Sequence, residues 1–185
     1  MTKSFQVVGI GNAIIDILAY VDDDFLAKNQ IEKGVMNLIN YERSRELYRQ
    51  IAATKKVAGG SAANTMVGLS QLGIKTSYFG KVNNDEFGKL FTDDLNLNDV
   101  EYNLSKKLDS SNLSTGHCIV LVTPDGERTM NTYLGVTEFL SKDDLNLNIL
   151  QNCRWLYLEG YRYDGIDSQK AFEIAIDHSK KGGGK

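Results

Sequence analysis

Three regions of the 185-residue chain carry residue types able to do chemistry. The first is Gly59-Gly60-Ser61-Ala62-Ala63-Asn64. Its two glycines let the backbone turn sharply and come close to a ligand. The helix that follows opens with three small residues, which leaves its first N–H groups accessible. Such a terminus can hold an anion or a polar oxygen, and Asn64, in the first turn, can aim its amide at the same place. The same residues also fit a plain helix cap with small side chains for close packing. The second region is Asp16, four residues after Asn12 and set among Ile14, Ile15, Ile17 and Leu18. A charge in that run must emerge at a strand end or be paired. Its short carboxylate can accept from two neighbouring sugar hydroxyls; the alternative is a solvent-facing strand residue. The third region, Glu159-Gly160-Tyr161-Arg162, follows the apolar run Trp155-Leu156-Tyr157-Leu158. Open α/β sheets place ligands at the carboxyl ends of such strands. A simple surface loop remains the other reading.

Other tempting patterns fail on their context. In Gly9-Ile10-Gly11-Asn12, the third glycine of a dinucleotide fingerprint would fall on Ile14, and the residues after it read as strand rather than helix. No Walker pattern is present, since Gly184-Lys185 ends the chain. His117-Cys118 has no second ligand cluster, and His178 lies in a late helix among lysines, so no metal site is expected. Cys118 reads as a small buried hydrophobe. Asp22-Asp23-Asp24 lacks the spacing of a calcium loop and reads as a solvated helix start, with Asp23 or Asp24 as its cap.

The elements that must position these residues alternate in type. Strands are expected at Phe5 to Ile10, Ile14 to Val21, Val35 to Ile39, Ser77 to Val82, Cys118 to Thr123, Arg128 to Leu134 and, as a buried strand, Trp155 to Leu158. Helices are expected at Phe25 to Asn29, Tyr41 to Thr54, Ser61 to Leu72 closed by Gly73, Asp85 to Leu97, Leu145 to Leu150 and Asp167 to Lys180. Pro124-Asp125-Gly126-Glu127 supplies a hairpin turn. Strand and helix alternate with hairpins inserted, which argues for a parallel α/β sheet carrying a small antiparallel appendage.

Composition narrows the class. Hydrophobic residues make up 42% and charged residues 24%, enough apolar material for a sizeable core. The net charge of −3 lacks the basic excess of a nucleic-acid binder. No apolar run approaches the ~20 residues of a membrane span, and no signal-peptide pattern opens the chain. Cys118 and Cys153 are too few for a disulfide scaffold, so a reducing cytoplasm is the expected location.

Several motifs together resemble one family. Gly59-Gly60-Ser61-Ala62-Ala63-Asn64, Leu72-Gly73 and Phe79-Gly80-Lys81-Val82-Asn83-Asn84-Asp85-Glu86-Phe87-Gly88 look like the first pattern of the PfkB/ribokinase carbohydrate kinases. The opening Gly9 to Ile17 is similar to their first strand. Val21 to Leu26, Ser114 to Cys118, Gly126-Glu127-Arg128-Thr129 and Leu158 to Tyr161 are similar to the adenosine-kinase-like subgroup and its bacterial sugar-kinase relatives. The resemblance implies a ribokinase-like fold: a Rossmann-like parallel sheet with helices, plus a small β-sheet lid within 14–40 and 115–135. It implies transfer of the ATP γ-phosphoryl, with Mg²⁺, to a hydroxymethyl group of a sugar or nucleoside. By match, Asp16, Gly60 and Asn64 hold substrate hydroxyls, with Asn12 and Gly59 in support. Cys118 and Tyr161 line the pocket, and Arg128 approaches the transferred phosphate. Glu159 falls where ribokinase-type members carry a substrate-contacting acid and animal adenosine kinases carry a small residue.

The family's downstream pattern, Asp-Thr-x-Gly-Ala-Gly-Asp, has no counterpart among the 185 residues. Its glycines form an anion hole and its last Asp is the general base. The chain therefore reads as the truncated N-terminal part of such a kinase, without the catalytic base or the C-terminal ATP-binding part, and without kinase activity alone. The competing expectations are a non-catalytic sugar- or nucleoside-binding module and a protein whose lid serves as a homodimer contact.

Overall fold

The computed structural model describes residues 3–105 and 113–185. Two sheets organise it. The first is parallel, in the order β6-β5-β1-β9, from strands β1 (Phe5–Ile10), β5 (Thr76–Lys81), β6 (Glu101–Ser105) and β9 (Cys153–Leu158). The second has the order β3-β8-β7-β2-β4, from β2 (Ile14–Tyr20), β3 (Met36–Leu38), β4 (Lys55–Gly59), β7 (Gly116–Val122) and β8 (Arg128–Tyr133). Within it, β2 pairs with β4 and β7 with β8 antiparallel, while β2–β7 and β3–β8 are parallel. This is the α/β class with a small lid-like sheet that the sequence implies.

The parallel sheet is covered on both faces, as parallel sheets are. Helix α3 (Ser61–Gln71) lies on one face, with Met66 against Gly9 and Tyr78 in the same cluster. On the other, Val8, Ile10 and Phe79 pack with Leu150 of α5 (Leu147–Gln151) and with Phe172 and Ala175 of α6 (Ile166–Lys181). Helix α4 (Glu86–Leu97) buries Phe91 and Leu95 and touches both sheets. Helix α2 (Tyr41–Gln50) packs on β7 and β8 and buries Leu47.

Several boundaries differ from expectation for identifiable reasons. The cap of α1 (Asp23–Lys28) is Asp22, whose extended backbone lets its carboxylate accept from Phe25 N at 2.8 Å. Helix α2 stops at Gln50 because Ile51 turns extended. Thr54 N then donates to Leu18 O at 2.8 Å, and β4, absent from the sequence reading, runs antiparallel beside β2. Strand β6 and the 3₁₀ turns Gly135–Phe139, Lys142–Asp144 and Gly160–Arg162 were likewise not anticipated. Strand β9 is an edge among the described residues, so Trp155 and Tyr157 are 47% and 41% exposed rather than buried. At its far side, Leu156 N donates to Lys185 O and Lys185 N to Arg154 O.

A buried ion pair ties the two 3₁₀ turns after β8 to the sheet. Lys81, at the end of β5, donates to Asp144 Oδ2 at 3.0 Å and to Phe139 O at 2.9 Å. Asp144 also accepts from Ser141 N and Oγ, so the pair is well satisfied. Removing one partner strands the other charge. Lys81→Met is therefore expected to lower stability in urea by about 3–5 kcal/mol, and Lys81→Met with Asp144→Leu to recover most of it. Equal losses in single and double variants would refute this pairing.

Candidate functional site

A cavity of ≈ 390 Å³ opens where the carboxyl end of the parallel sheet meets the second sheet. Its floor is polar: Asn12, Asp16, Gly60, Ser61, Asn64, Glu159 and Asp164. Its wall is apolar: Ile14, Met36, Leu38, Cys118, Met130, Leu134 and Tyr161, with Thr132 among them. A volume of this size fits a small organic ligand.

The floor forms where three segments converge. The chain leaves β1 at Ile10, turns through Gly11-Asn12-Ala13 and enters β2. It returns along β4 to Gly59 and starts α3 after Gly60. Gly60 has φ +95°, and a Cβ there would collide with the Asn12 carbonyl oxygen. Only glycine meets both demands without strain. Gly59 does not line the cavity but backs it, since a Cβ would stand 2.6 Å from the Asp16 carboxylate. Asn64 N donates to Gly60 O at 2.9 Å as the helix closes its first turn, which leaves the Asn64 side chain at the cavity.

Asp16 sits in the middle of β2, between Val57 of β4 and Cys118 of β7. No hydrogen-bond donor among the described residues reaches its carboxylate. Burial alone raises its pKa. The Cys118 thiol, in the next strand, is pushed up to about 11 by burial first, with the Asp16 charge adding to the shift. It accepts a hydrogen bond from Thr132 Oγ1 at 3.3 Å and stays a neutral thiol, a packing residue rather than a nucleophile.

Glu159 is 4% exposed and lies directly beyond β9. Its Oε1 accepts from Asn12 N at 3.2 Å and Asn12 Nδ2 at 2.8 Å. Its Oε2 accepts from Ser61 Oγ at 2.8 Å and Ala62 N at 3.0 Å. The anion at the start of α3 is therefore one of the protein's own carboxylates. Tyr161 stands at the mouth, 72% exposed.

The fold thus assembles Asn12, Asp16, Gly60, Asn64, Cys118, Glu159 and Tyr161 around one space. Arg128 stands apart: it begins β8 opposite Val122, is exposed at the hairpin tip and does not line the cavity. His117 points to the opposite face of β7 from Cys118, where its Nε2 lies 2.5 Å from Ser44 Oγ and burial lowers its pKa. Among the described residues no cluster of His, Cys, Asp and Glu could hold a metal ion. Sequence reasoning missed the apolar wall. Met130, Thr132 and Leu134 follow the two-residue period of a strand face, but their partners Met36 and Leu38 emerge only from the β3–β8 register, Met36 opposite Met130 and Leu38 opposite Thr132.

Comparison with known proteins agrees with this architecture. The family of pfkB carbohydrate kinases matches residues 6–183, and the chain belongs to that family. The fold is that of a probable sugar kinase from Rhizobium etli, with a TM-score of 0.90 and 37% identity over 100% of this chain and 55% of that one. The adenosine kinase of Sinorhizobium meliloti superposes with a TM-score of 0.87 and 37% identity, covering 98% of this chain and 55% of that one. The adenosine kinase of Saccharomyces cerevisiae is 28% identical over 165 residues, 84% of this chain and 47% of the yeast protein. The chain spans about half the length of these relatives. No helix among the described residues is long and apolar enough to cross a membrane.

The half-buried Asp16 has a consequence for stability. Its folded pKa lies above the unfolded 3.8, so the folded state favours the protonated form. Above the folded pKa the ionised carboxylate therefore opposes folding, and that opposition fades as pH falls through the folded pKa towards 3.8. Ligand-free Asp16→Asn is expected to be more stable than the parent near pH 7, with the difference shrinking on acidification. Urea midpoints measured across that range test it; a variant less stable at neutral pH contradicts it.

Proposed function

We propose that this chain carries the substrate-binding part of a kinase that transfers the ATP γ-phosphoryl to a hydroxymethyl group of a nucleoside or sugar. One observation supports this above the others: a half-buried carboxylate, Asp16, without a donor among the described residues, faces the cavity beside Gly60 and Asn64. Partial desolvation disfavours its charged form, and vicinal hydroxyls would supply donors that restore it. Hydrogen bonds to a charged group are also the strong ones. In this reading Asp16 and Asn64 hold ring hydroxyls, Gly60 permits the close approach, and Asn12 and Gly59 set the carboxylate's surroundings. Cys118 and Tyr161 shape the pocket.

The apolar wall favours a nucleoside over a free sugar. A sugar alone covers the polar floor and leaves Met36, Leu38, Met130 and Leu134 wet, whereas a planar base would bury them. Tyr161 at the mouth offers an aromatic face to the same base.

The cavity itself does not suit a triphosphate. Its lining includes three acids, Asp16, Glu159 and Asp164, and no Lys or Arg. ATP and Mg²⁺ belong in this proposal to the kinase as a whole. The 185 residues supply neither the anion hole nor the general base of the family's second pattern. Arg128 is a phosphate contact in this reading only if the hairpin tip moves toward the cavity. A homodimer through the five-stranded sheet, in this reading, uses edges that leave the cavity open.

Calorimetry tests the reading. Adenosine is expected to bind at least roughly tenfold more tightly than ribose or fructose, given the value of burying apolar surface. Asp16→Ala is expected to weaken adenosine roughly 10- to 100-fold, the worth of a hydrogen bond to a charged group. Equal binding of ribose and adenosine counts against the nucleoside, and an unchanged affinity in Asp16→Ala counts against the site. The 185-residue chain is further expected to turn over no ATP with Mg²⁺ and any of these acceptors; saturable turnover in a coupled assay would overturn that expectation.

A further inference from the structure

Glu159 borders the cavity, yet its hydrogen-bonding capacity is spent inside the protein. An ionised carboxylate has about four lone-pair sites. Asn12 N, Asn12 Nδ2, Ser61 Oγ and Ala62 N fill them at 2.8–3.2 Å. No lone pair remains for a ligand hydroxyl. We infer that Glu159 is a positioning residue: it acts through Asn12 and the start of α3 and does not touch the ligand. The inference rests on the ligand-binding reading above for its purpose, and on the hydrogen bonds alone for its geometry.

Two consequences give the arrangement its use. The cap position of α3 is Gly60, which has no side chain to accept from the helix. The Glu159 carboxylate supplies the missing acceptor and sits where the helix dipole favours a negative charge. The first turn, with Asn64 on it, is thereby fixed against the end of β9. The second consequence concerns Asn12. Its amide must turn Nδ2 toward the carboxylate, because Oδ1 there would be repelled. That leaves Oδ1, buried and without a partner among the described residues, as an acceptor on the other side of the amide. Asn12 lines the same cavity as Asp16. Both side chains carry an acceptor oxygen that no donor among the described residues fills, which suits a ligand that donates hydroxyl protons. Without Glu159 the amide could turn over and present a donor instead.

Glu159→Gln keeps the shape but replaces one acceptor oxygen by an NH₂ group, so it cannot serve both donor pairs. In the ligand-free protein, hydrogen exchange at the Ala62 and Asn12 backbone amides is expected to accelerate roughly tenfold or more, while Val8 and Ile10 in the core of β1 stay unchanged. Adenosine affinity is expected to fall roughly tenfold, and the same substitution made in an Asn12→Ala background is expected to cost far less, because the two residues act as one unit. A role in stability alone would leave this coupling at zero. An equal affinity loss in both backgrounds signals direct ligand contact and overturns the inference, as do unchanged amides. If Glu159→Gln does not fold, Glu159→Asp draws the carboxylate back by one methylene and is expected to accelerate Ala62 and Asn12 exchange in the same direction; no acceleration there also overturns it. A parent protein that binds neither adenosine nor ribose defeats the functional reading, while the exchange rates, taken without ligand, still decide the positioning.

Discussion

The Glu159 carboxylate sits where the ends of two strands and the start of one helix meet, and the cavity floor depends on that junction. Strands β1 and β9 are parallel neighbours with Ile10 opposite Leu158, so their carboxyl ends emerge side by side. Glu159 N donates to Ile10 O at 3.0 Å and extends the pairing by one bond. Helix α3 packs on β1 and delivers its N-terminus to the same level. Each component alone is unfavourable. A buried carboxylate needs donors, and buried N–H groups at an uncapped helix start need an acceptor. Placed together they satisfy one another, and the main chain around the cavity is held as a result.

Asp16 is the opposite case. It lies half-buried in β2, between β4 and β7, and receives no donor from the described residues. The folded protein holds this carboxylate at a cost to its own stability, with the pKa raised by burial. Perturbed acids of this kind cluster at functional sites. The contrast between a satisfied acid at position 159 and an unsatisfied one at position 16 distinguishes what holds the cavity together from what is open to a ligand. The two sheets divide the remaining work. The parallel sheet ends in the polar floor, and the second sheet turns Met36, Leu38 and Met130 toward the same space.

Features fixed by local rules were legible in the sequence. Helix α3 begins and ends where the glycines at 60 and 73 place it, and α4 runs to Leu97 as expected, one residue later at its start because Asp85 is its cap. The β7–β8 hairpin closes at Gly126, φ +84°, as its turn residues require. Features that depend on a distant partner were not legible. Strand β4 opens with Lys55-Lys56 and has little apolar signal; it exists because β2 offers it an edge. Trp155 has the composition of a core residue and is half-exposed because of where β9 falls in the sheet. Three consecutive aspartates at 22–24 share one composition, and only the backbone angles pick Asp22 as the cap.

The sequence by itself determined the α/β class, the family resemblance and nearly all the polar residues of the floor, because glycine turns, capping residues and strand periods act over a few positions and can be read there. It placed Asp16, Asn64 and Glu159 in one list but could not say that they differ. Tertiary structure decided that Glu159 is saturated by donors from positions 12, 61 and 62, that Asp16 is not, and that Arg128 lies away from both. Those distinctions depend on groups that meet across 97 to 147 residues of chain, and a hydrogen-bond acceptor is filled or left open only by what folding brings within about 3 Å of it.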